Sequence, residues 1–179
     1  MKVAINGGHC PGVDSGAVGV SGLQEAVVVC DIMKKVAQYL RAVGYQVIEI
    51  QENAMDQILQ SANEFGSDLF IAIHCDSAEN IFAQGTETFC YQFGGESEKL
   101  ARCIQSQIIT NLGSVDRGIK KANFEVLRKT NCPSVLIEVA FISNSYDEVM
   151  LANPVKRDQF SAAIARGITD YCANFSLND

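Results

Sequence analysis

Apolar residues recur along the chain with two alternating periods. Short, mostly apolar runs, which are typical of strands, occupy residues 3–5, 46–50, 69–73, 86–91, 124–127 and 134–139. Between them, apolar residues recur every three or four positions at residues 26–40, 55–65, 100–112 and 160–175, which is the pattern of amphipathic helices. The alternation predicts an α/β fold, a single three-layer domain with a mostly parallel (mixed) central sheet of about six strands and helices on both faces.

Capping signals predict where several helices begin. Ser21 followed three residues later by Gln24 has the spacing of a capping box. The first long helix is therefore predicted to begin at about Gly22, with Glu25 in its first turn. The other predicted caps are Asn53 before the second helix and Asn153-Pro154 before the last.

Length and composition place the chain among globular proteins. Its 179 residues suit one domain, 1–179, and hydrophobic and charged residues make up 47% and 20% of the sequence. No apolar run approaches the ~20 residues that a membrane span requires. Because Met1-Lys2 leads directly into the first strand, we expect no secretory signal peptide and synthesis in the cytoplasm.

The formal net charge of −7 argues against nucleic acid or an anionic membrane as the main partner, since both select basic surfaces.

The segment 114–123 is predicted to be a loop. It begins the cationic cluster of the chain, which we interpret as a solvated surface. The cluster comprises Arg117, Lys120, Lys121, Arg128 and Lys129.

Seven cysteines are dispersed along the chain, without the spacing of a metal-binding or redox pair. Their number is odd and several lie at core-facing positions. We therefore expect reduced thiols rather than a disulfide framework.

Four residues with metal or acid–base chemistry are predicted to meet at one edge of the sheet. His9 follows the first strand, His74 ends the third and Glu138 ends the last, while Glu25 begins a helix that faces the same edge. In open α/β sheets the ligand crevice lies beyond the carboxyl ends of the strands. Two imidazoles and one carboxylate make the three-ligand zinc set of a hydrolytic site, with a position left open for water. Glu138 is then free to act as a base.

These residues belong to a series of motifs that runs from Lys2 to about Phe175. The motifs are Gly7-Gly8-His9-Cys10-Pro11-Gly12, Gly16-Ala17, Gly22, Glu25, Ile73-His74, Arg117-Gly118-Ile119-Lys120, Val126-Leu127-Arg128, Pro133-Ser134-Val135-Leu136-Ile137-Glu138 and Phe141-Ile142-Ser143-Asn144. In this order they resemble the N-acetylmuramoyl-L-alanine amidase family, the type 3 zinc-dependent hydrolases of the bacterial wall. The resemblance implies that His9, Glu25 and His74 bind Zn²⁺, and that Glu138 is the catalytic glutamate.

The chain departs from the usual pattern of that family at several positions. Asn6 and Cys10 stand in a segment that is usually Asp-Pro-Gly-His-Gly-Gly, and His74-Cys75-Asp76 replaces His-x-Asn. An arginine-bearing segment that usually follows the second strand is missing around residues 51–60, and Ala140 replaces a glycine. No predicted ligand is lost, so these changes bear on substrate preference rather than on the reaction.

The resemblance implies cleavage of the amide between the lactyl group of N-acetylmuramic acid and L-alanine, with peptidoglycan as the substrate. Without a signal peptide, the protein is expected to act on the wall after release or lysis, as an autolysin or an endolysin. Oligomeric state is open.

Three alternative functions are considered. A zinc carboxypeptidase acting on stem peptides needs a basic residue for a terminal carboxylate, which Lys120 or Arg128 could supply. A non-catalytic wall-binding module predicts loss of a ligand or of Glu138, and all are present. A cysteine hydrolase could use Cys10 or Cys75, each of which follows a histidine. However, adjacent strand residues point to opposite faces, so Cys75 should face away from His74.

Overall fold

The computed structural model describes residues 1–175, which form a six-stranded sheet between two layers of helices. The strands are β1 (Lys2–Gly7), β2 (Gln46–Ile50), β3 (Leu69–Asp76), β4 (Thr86–Cys90), β5 (Asp116–Lys121) and β6 (Ser134–Phe141). The helices are α1 (Glu25–Ala42), α2 (Met55–Glu64), α3 (Glu96–Leu112), α4 (Glu125–Lys129), α5 (Ser145–Ala152) and α6 (Pro154–Phe175).

The strand order is β2-β1-β3-β6-β4-β5. Four neighbouring strands, from β2 to β6 in this order, are parallel, so their carboxyl ends share one edge. β4 pairs antiparallel with β6, and β5 runs parallel to β4. The sheet is therefore mixed and mostly parallel, with helices on both faces, which confirms the predicted fold class.

The two faces of the sheet are covered unequally. Side chains at alternate positions of β3, such as Ile71 and Ile73, enter a large core that α1, α3 and α6 cover. Phe70 and Ala72 face the other way, into a smaller core below α2 and α4. Because side chains alternate along a strand, His74 continues the row of Phe70 and Ala72. The candidate site thus opens on the smaller face.

Two predicted helix caps are wrong. Helix α1 begins at Glu25 and its cap is Gln24, whose side chain makes no capping hydrogen bond. Ser21 lies instead in a loop that a β-bridge between Val18 and Gln24 extends up to the helix, so the capping box cannot form. The cap of α2 is Ala54, one residue after the predicted Asn53. The Asn153 cap is confirmed, because its side-chain oxygen accepts hydrogen bonds from the first turn of α6.

Secondary structure between residues 114 and 152 differs from the prediction in three places. The predicted loop contains edge strand β5, whose polar sequence hides the strand pattern. The predicted short strand at 124–127 is mostly the helix α4, in which only Val126 and Leu127 are buried. No helix was predicted at α5, which Asn144 caps by accepting from two backbone N–H groups.

None of the helices within residues 1–175 combines the length and the apolar composition that crossing a membrane would require.

Candidate metal centre and active site

The loop after β1 holds His9 in an unusual backbone conformation. His9 has φ 60°, a left-handed value that few residues other than glycine adopt. Its Nδ1 lies 2.7 Å from Asp14 Oδ2, so the carboxylate fixes the ring and leaves Nε2 facing the site. The Gln51 amide supports the turn by donating to the His9 carbonyl at 2.6 Å. Strain of this kind collects at functional sites, where the surrounding structure must hold it.

Two glycines let the site residues approach one another. A Cβ atom on Gly8 would lie 2.1 Å from His74 Cε1. On Gly16, which has φ 63°, it would lie 2.6 Å from both Glu25 Oε2 and His9 Cδ2. Any side chain at either position would therefore displace a site residue, which explains part of the glycine content of this loop.

Glu25 is a buried carboxylate whose oxygens are both occupied. Oε1 accepts from the Cys75 N–H and lies 3.0 Å from His74 Nδ1. Oε2 accepts from the Ala17 N–H at 2.9 Å and lies 3.3 Å from His9 Nε2. Burial raises the pKa of Glu25, but the contacts with His74 and the two N–H groups outweigh it, so the net pKa is lowered. This carboxylate is held as an anion.

His9, Glu25 and His74 each offer a ligand atom, and these atoms lie within 4.8 Å of one another. The imidazole rings meet edge to face, with centroids 5.5 Å apart. Two nitrogen donors and one carboxylate oxygen fit the donor set that Zn²⁺ prefers at sites with an open position. The hydrogen bond from His9 to Asp14 supplies the outer support that metal-bound histidines commonly have.

Glu138 lies beside this cluster, in register with His74 across the β3–β6 pair. One of its oxygens, Oε2, is buried and has no hydrogen-bond partner among residues 1–175. Burial raises the pKa of Glu138 to about 9, and the charges of Asp76, Glu25 and Glu87 add to the effect. A carboxylate in such a place requires a cation or a proton nearby.

A cleft of 410 Å³ joins Glu138 to the cluster. Apolar side chains from α2, α4 and β6 line one part of it. The lining residues used below are His9, Asp14, Glu52, His74, Glu125 and Glu138.

A partly buried ion-pair network continues from Glu138 toward the sheet edge. Glu87 of β4 is in register with Glu138, and its Oε2 accepts from both Arg117 Nε and Lys120 Nζ at 2.5 Å. Burial raises the pKa of Glu87, but the two cations outweigh it and hold the pKa below its ordinary value. The guanidinium of Arg117 also lies over the Phe141 ring, 4.6 Å from its centroid. Two members of the predicted solvated cluster therefore have defined partners.

Helix α5 ties together the segments that carry the site. Asp147 accepts from the N–H groups of Gly85 and Phe141, at the start of β4 and the end of β6. Glu148 accepts from the N–H and the hydroxyl of Ser21, four residues before Glu25. Both carboxylates are buried. The glutamate of β6 and that of α1 are thus held through one short helix.

The cysteines do not form an activated pair at the site. Cys75 belongs to the large core on the face opposite His74. Burial raises its pKa well above the ordinary value, with further increases from Glu25 and Glu138. A thiol held in its neutral form is a poor nucleophile. None of the seven cysteines, which all lie within residues 1–175, is paired in a disulfide.

The structure brings together all four residues that the sequence singled out. Sequence reasoning missed Asp14, Gln51 and Glu87, which support or extend the site. Asp14 had a usable signal, because an acidic residue five positions after a histidine in a glycine-rich loop can fold back onto the ring. Gln51 and Glu87 act through tertiary contacts that no local spacing shows.

The sequence matches one protein family and several of its members over most of its length. The family profile described as "N-acetylmuramoyl-L-alanine amidase" matches residues 3–170. The N-acetylmuramoyl-L-alanine amidase LytC of Bacillus subtilis is 36% identical over 165 residues, covering 88% of this chain and 33% of LytC. The sporulation-specific N-acetylmuramoyl-L-alanine amidase of the same organism is 33% identical, covering 93% of this chain and 65% of that protein. The chain thus spans about a third of LytC and about two thirds of the second relative.

Solved structures show the same architecture. The N-acetylmuramoyl-L-alanine amidase AmiC2 of Nostoc punctiforme superposes with a TM-score of 0.92 at 32% identity, covering 97% of this chain and 98% of that one. The N-acetylmuramoyl-L-alanine amidase of Clostridium difficile 630 also gives 0.92, at 29% identity and 98% coverage of both chains. Profile, sequence and structure agree over nearly the whole length, and the chain belongs to the N-acetylmuramoyl-L-alanine amidase family.

Proposed function

We propose that the protein is a zinc-dependent hydrolase that cleaves the amide between the lactyl group of N-acetylmuramic acid and L-alanine in peptidoglycan. One observation carries the proposal. The ligand atoms of His9, Glu25 and His74 lie within 4.8 Å of one another, and the same cleft contains Glu138 with an unpartnered buried oxygen. In a chain of this family, that arrangement is suited to metal-assisted hydrolysis.

His9, Glu25 and His74 would hold the metal. When bound, zinc supplies Lewis acidity at the scissile carbonyl and lowers the pKa of water from 15.7 in bulk to about 7. The hydrogen bond from His9 to Asp14 and the two N–H groups that bond Glu25 keep these ligands oriented. The proposed domain spans residues 1–179.

Glu138 is the proposed catalytic residue. Its carboxylate accepts the proton of the attacking water and then delivers it to the departing amine, since an unprotonated amine is a poor leaving group. A pKa raised to about 9 suits the second step, and nearby positive charge would favour the ionised form that the first step needs. Among the described residues no group bonds Oε2, so no fixed donor holds the carboxylate in one protonation state.

The alternatives have less support. For the carboxypeptidase, the terminal carboxylate would belong to the first residue after the scissile amide, where the described residues that line the cleft offer acidic side chains. Lys120 lies against Glu87 outside that lining, and Arg128 is exposed and donates to Asn123. For the cysteine hydrolase, Cys75 faces the core and not the cleft. The wall-binding module is disfavoured because the chain keeps both a complete set of metal donors and an unpaired carboxylate beside it. A protein that only binds the wall requires neither the donors nor the carboxylate.

The test is digestion of purified peptidoglycan with the zinc-loaded protein, with and without a chelator. New amino groups are labelled before acid hydrolysis. The proposal predicts labelled L-alanine, no new reducing sugar ends, loss of activity with the chelator, and recovery with Zn²⁺. Labelled D-alanine or diaminopimelate would instead indicate cleavage within the stem, as the carboxypeptidase alternative requires.

A further inference from the structure

We propose that Arg117 and Lys120 form a subsite for a carboxylate on the peptide part of the substrate, carried by the second residue after the scissile amide. This inference rests on the proposed function and assigns it a substrate preference. In peptidoglycan that residue is D-glutamate, with a free α-carboxylate, or D-isoglutamine, in which an amide replaces it. The proposed preference is for the free acid.

The charges in the cleft point to this location. Among the described residues that line it, the charged side chains other than the histidines are acidic: Asp14, Glu52, Glu125 and Glu138. Residues 51–60, which follow β2, contain no lysine or arginine. A carboxylate held close to these groups would be repelled. From Glu138 on β6 the sheet continues through Glu87 on β4 to β5, which carries two cations, Arg117 and Lys120.

The pair is preorganised and partly exposed. A buried carboxylate, Glu87, accepts from both cations at 2.5 Å. Asp76, whose pKa burial raises, also lies near Glu87 and Arg117. The Arg117 and Lys120 side chains remain 33% and 38% exposed, so each keeps surface for a further anion. Phe141 and Phe89 lie beneath the two cations, 4.6 and 5.9 Å from ring centroid to charged group. Side chains fixed in this way lose little freedom when an anion binds.

The distance also suits this residue of the substrate. β5 lies two strands from β6, which corresponds to about 10 Å between their backbones. The two cations extend back over β4 to Glu87, next to Glu138. An extended peptide advances ~3.3–3.6 Å per residue, so the second residue lies about 7 Å from the reacting amide. The peptide can therefore run from Glu138 over β4 and present its carboxylate to the pair.

The test compares two synthetic muramoyl dipeptides, one ending in D-glutamate with a free α-carboxylate and the other in D-isoglutamine. The γ-carboxyl is blocked as a methylamide in every ligand of the test, so that the α-group is the only difference. The variants are Arg117→Gln, Lys120→Gln and, as a matched control, Lys121→Gln. Lys121 lies on the same strand, but its ammonium is over Phe93 and not beside Glu87. For each protein, kcat and KM are measured on both substrates after a thermal melt has shown that the variant is folded.

The wild type is expected to favour the free acid by about tenfold in kcat/KM, mainly through KM, as for one partly exposed charge-assisted hydrogen bond. Arg117→Gln and Lys120→Gln should bring the ratio close to one, and Lys121→Gln should leave it unchanged. Calorimetric binding of L-Ala-D-Glu and L-Ala-D-isoglutamine to the Glu138→Gln protein should show the same preference.

Equal use of both substrates by the wild type would overturn the subsite while leaving the amidase proposal intact. The same holds if Arg117→Gln and Lys120→Gln slow both substrates equally, since the pair then only supports the fold. If the folded, zinc-loaded wild type cleaves neither substrate, the amidase proposal fails and the subsite with it.

Discussion

Glu25 and Glu138 are glutamates that both lie near His74, and their surroundings differ. Both oxygens of Glu25 have partners, supplied by two backbone N–H groups and two imidazoles. Oε2 of Glu138 has no hydrogen-bond partner within the part of the chain that the structure describes. The surroundings of Glu25 lower its pKa, whereas burial and neighbouring carboxylates raise that of Glu138 to about 9.

This difference shows how one residue type can serve two functions in one cleft. A carboxylate held as an anion by fixed donors can bind a cation without having to release a proton first. A carboxylate without donors is easily protonated and can exchange protons with a substrate. The backbone determines which glutamate has which function. Helix α1 places Glu25 against the loops, whereas β6 places Glu138 at the open cleft.

Replacing Glu25 has the largest expected effect. Glu25→Ala removes a proposed ligand and leaves the Ala17 and Cys75 N–H groups without their acceptor. Zinc content and turnover should both fall to background, and each unpaired buried N–H should cost about 1–3 kcal/mol of stability. Metal analysis and denaturant unfolding measure these effects, with the α2 surface variant Glu64→Ala as the control. A zinc-replete, active Glu25→Ala protein would contradict the assignment.

Replacing Glu138 should separate turnover from metal binding. Glu138→Gln keeps the size of the side chain but cannot accept the proton, so kcat should fall by about 10²–10⁴-fold while zinc content remains that of the wild type. Steady-state kinetics and metal analysis on the same preparation provide the measurement. Loss of zinc from Glu138→Gln would mean that the roles of the two glutamates are exchanged.

Replacing Asp14 should affect metal binding and not the catalytic step itself. Asp14→Ala removes the partner of His9 Nδ1, and loss of such a support typically costs about 10–100-fold in metal affinity. Competition with a chromophoric chelator measures the affinity. Asp158→Ala, on α6, should leave it unchanged. At saturating zinc, most of the lost turnover should return, and a defect that persists would indicate a different role for Asp14.

Two glycines of the first loop form a matched pair. Both have positive φ, 63° at Gly16 and 83° at Gly12, so alanine at either should cost about 1 kcal/mol of stability. Only at Gly16 would the new Cβ meet His9 and Glu25, since at Gly12 no atom of the described residues, apart from the two chain neighbours, lies within 4 Å of it. Gly16→Ala should therefore lower zinc affinity by about tenfold, whereas Gly12→Ala should not. Equal affinities would show that the loop yields to the added atom.

The smallest effect is expected at Cys75. Cys75→Ala lies on the large-core face, so stability should fall by about 1 kcal/mol and turnover should stay within about twofold of the wild type. A thermal melt and steady-state kinetics measure the two quantities. If turnover is abolished in the folded variant, the cysteine mechanism must be reconsidered.

The sequence predicted those parts of the molecule that follow from local pattern. The buried run 69–73 and the stripe of α1 predict their elements because apolar burial dominates both. Strand β5 escaped prediction because Arg117 and Lys120 owe their places to Glu87, which is 30 or more residues away in the chain. The capping box failed for a similar reason, because Ser21 bonds Glu148 of α5.

The sequence indicated which residues would meet at the site, but not the hydrogen bonds that surround each of them. His9 follows β1. His74 and Glu138 do not end their strands as predicted, since β3 continues to Asp76 and β6 to Phe141, but both lie near the carboxyl ends, which share one edge of the sheet. That Glu25 is fully hydrogen-bonded and Glu138 is not depends on the course of the loop around Ala17 and on the register of β3 with β6. Neither feature can be predicted from spacing along the chain.

The most direct test of the two roles is a crystal structure of the zinc-loaded protein, with anomalous data collected at the zinc edge. We predict one peak bonded to His9, Glu25 and His74, at about 2.0–2.2 Å from each ligand atom, with Glu138 close by but not bonded. A peak bonded to Glu138 in place of Glu25, or zinc at a different site, would contradict it.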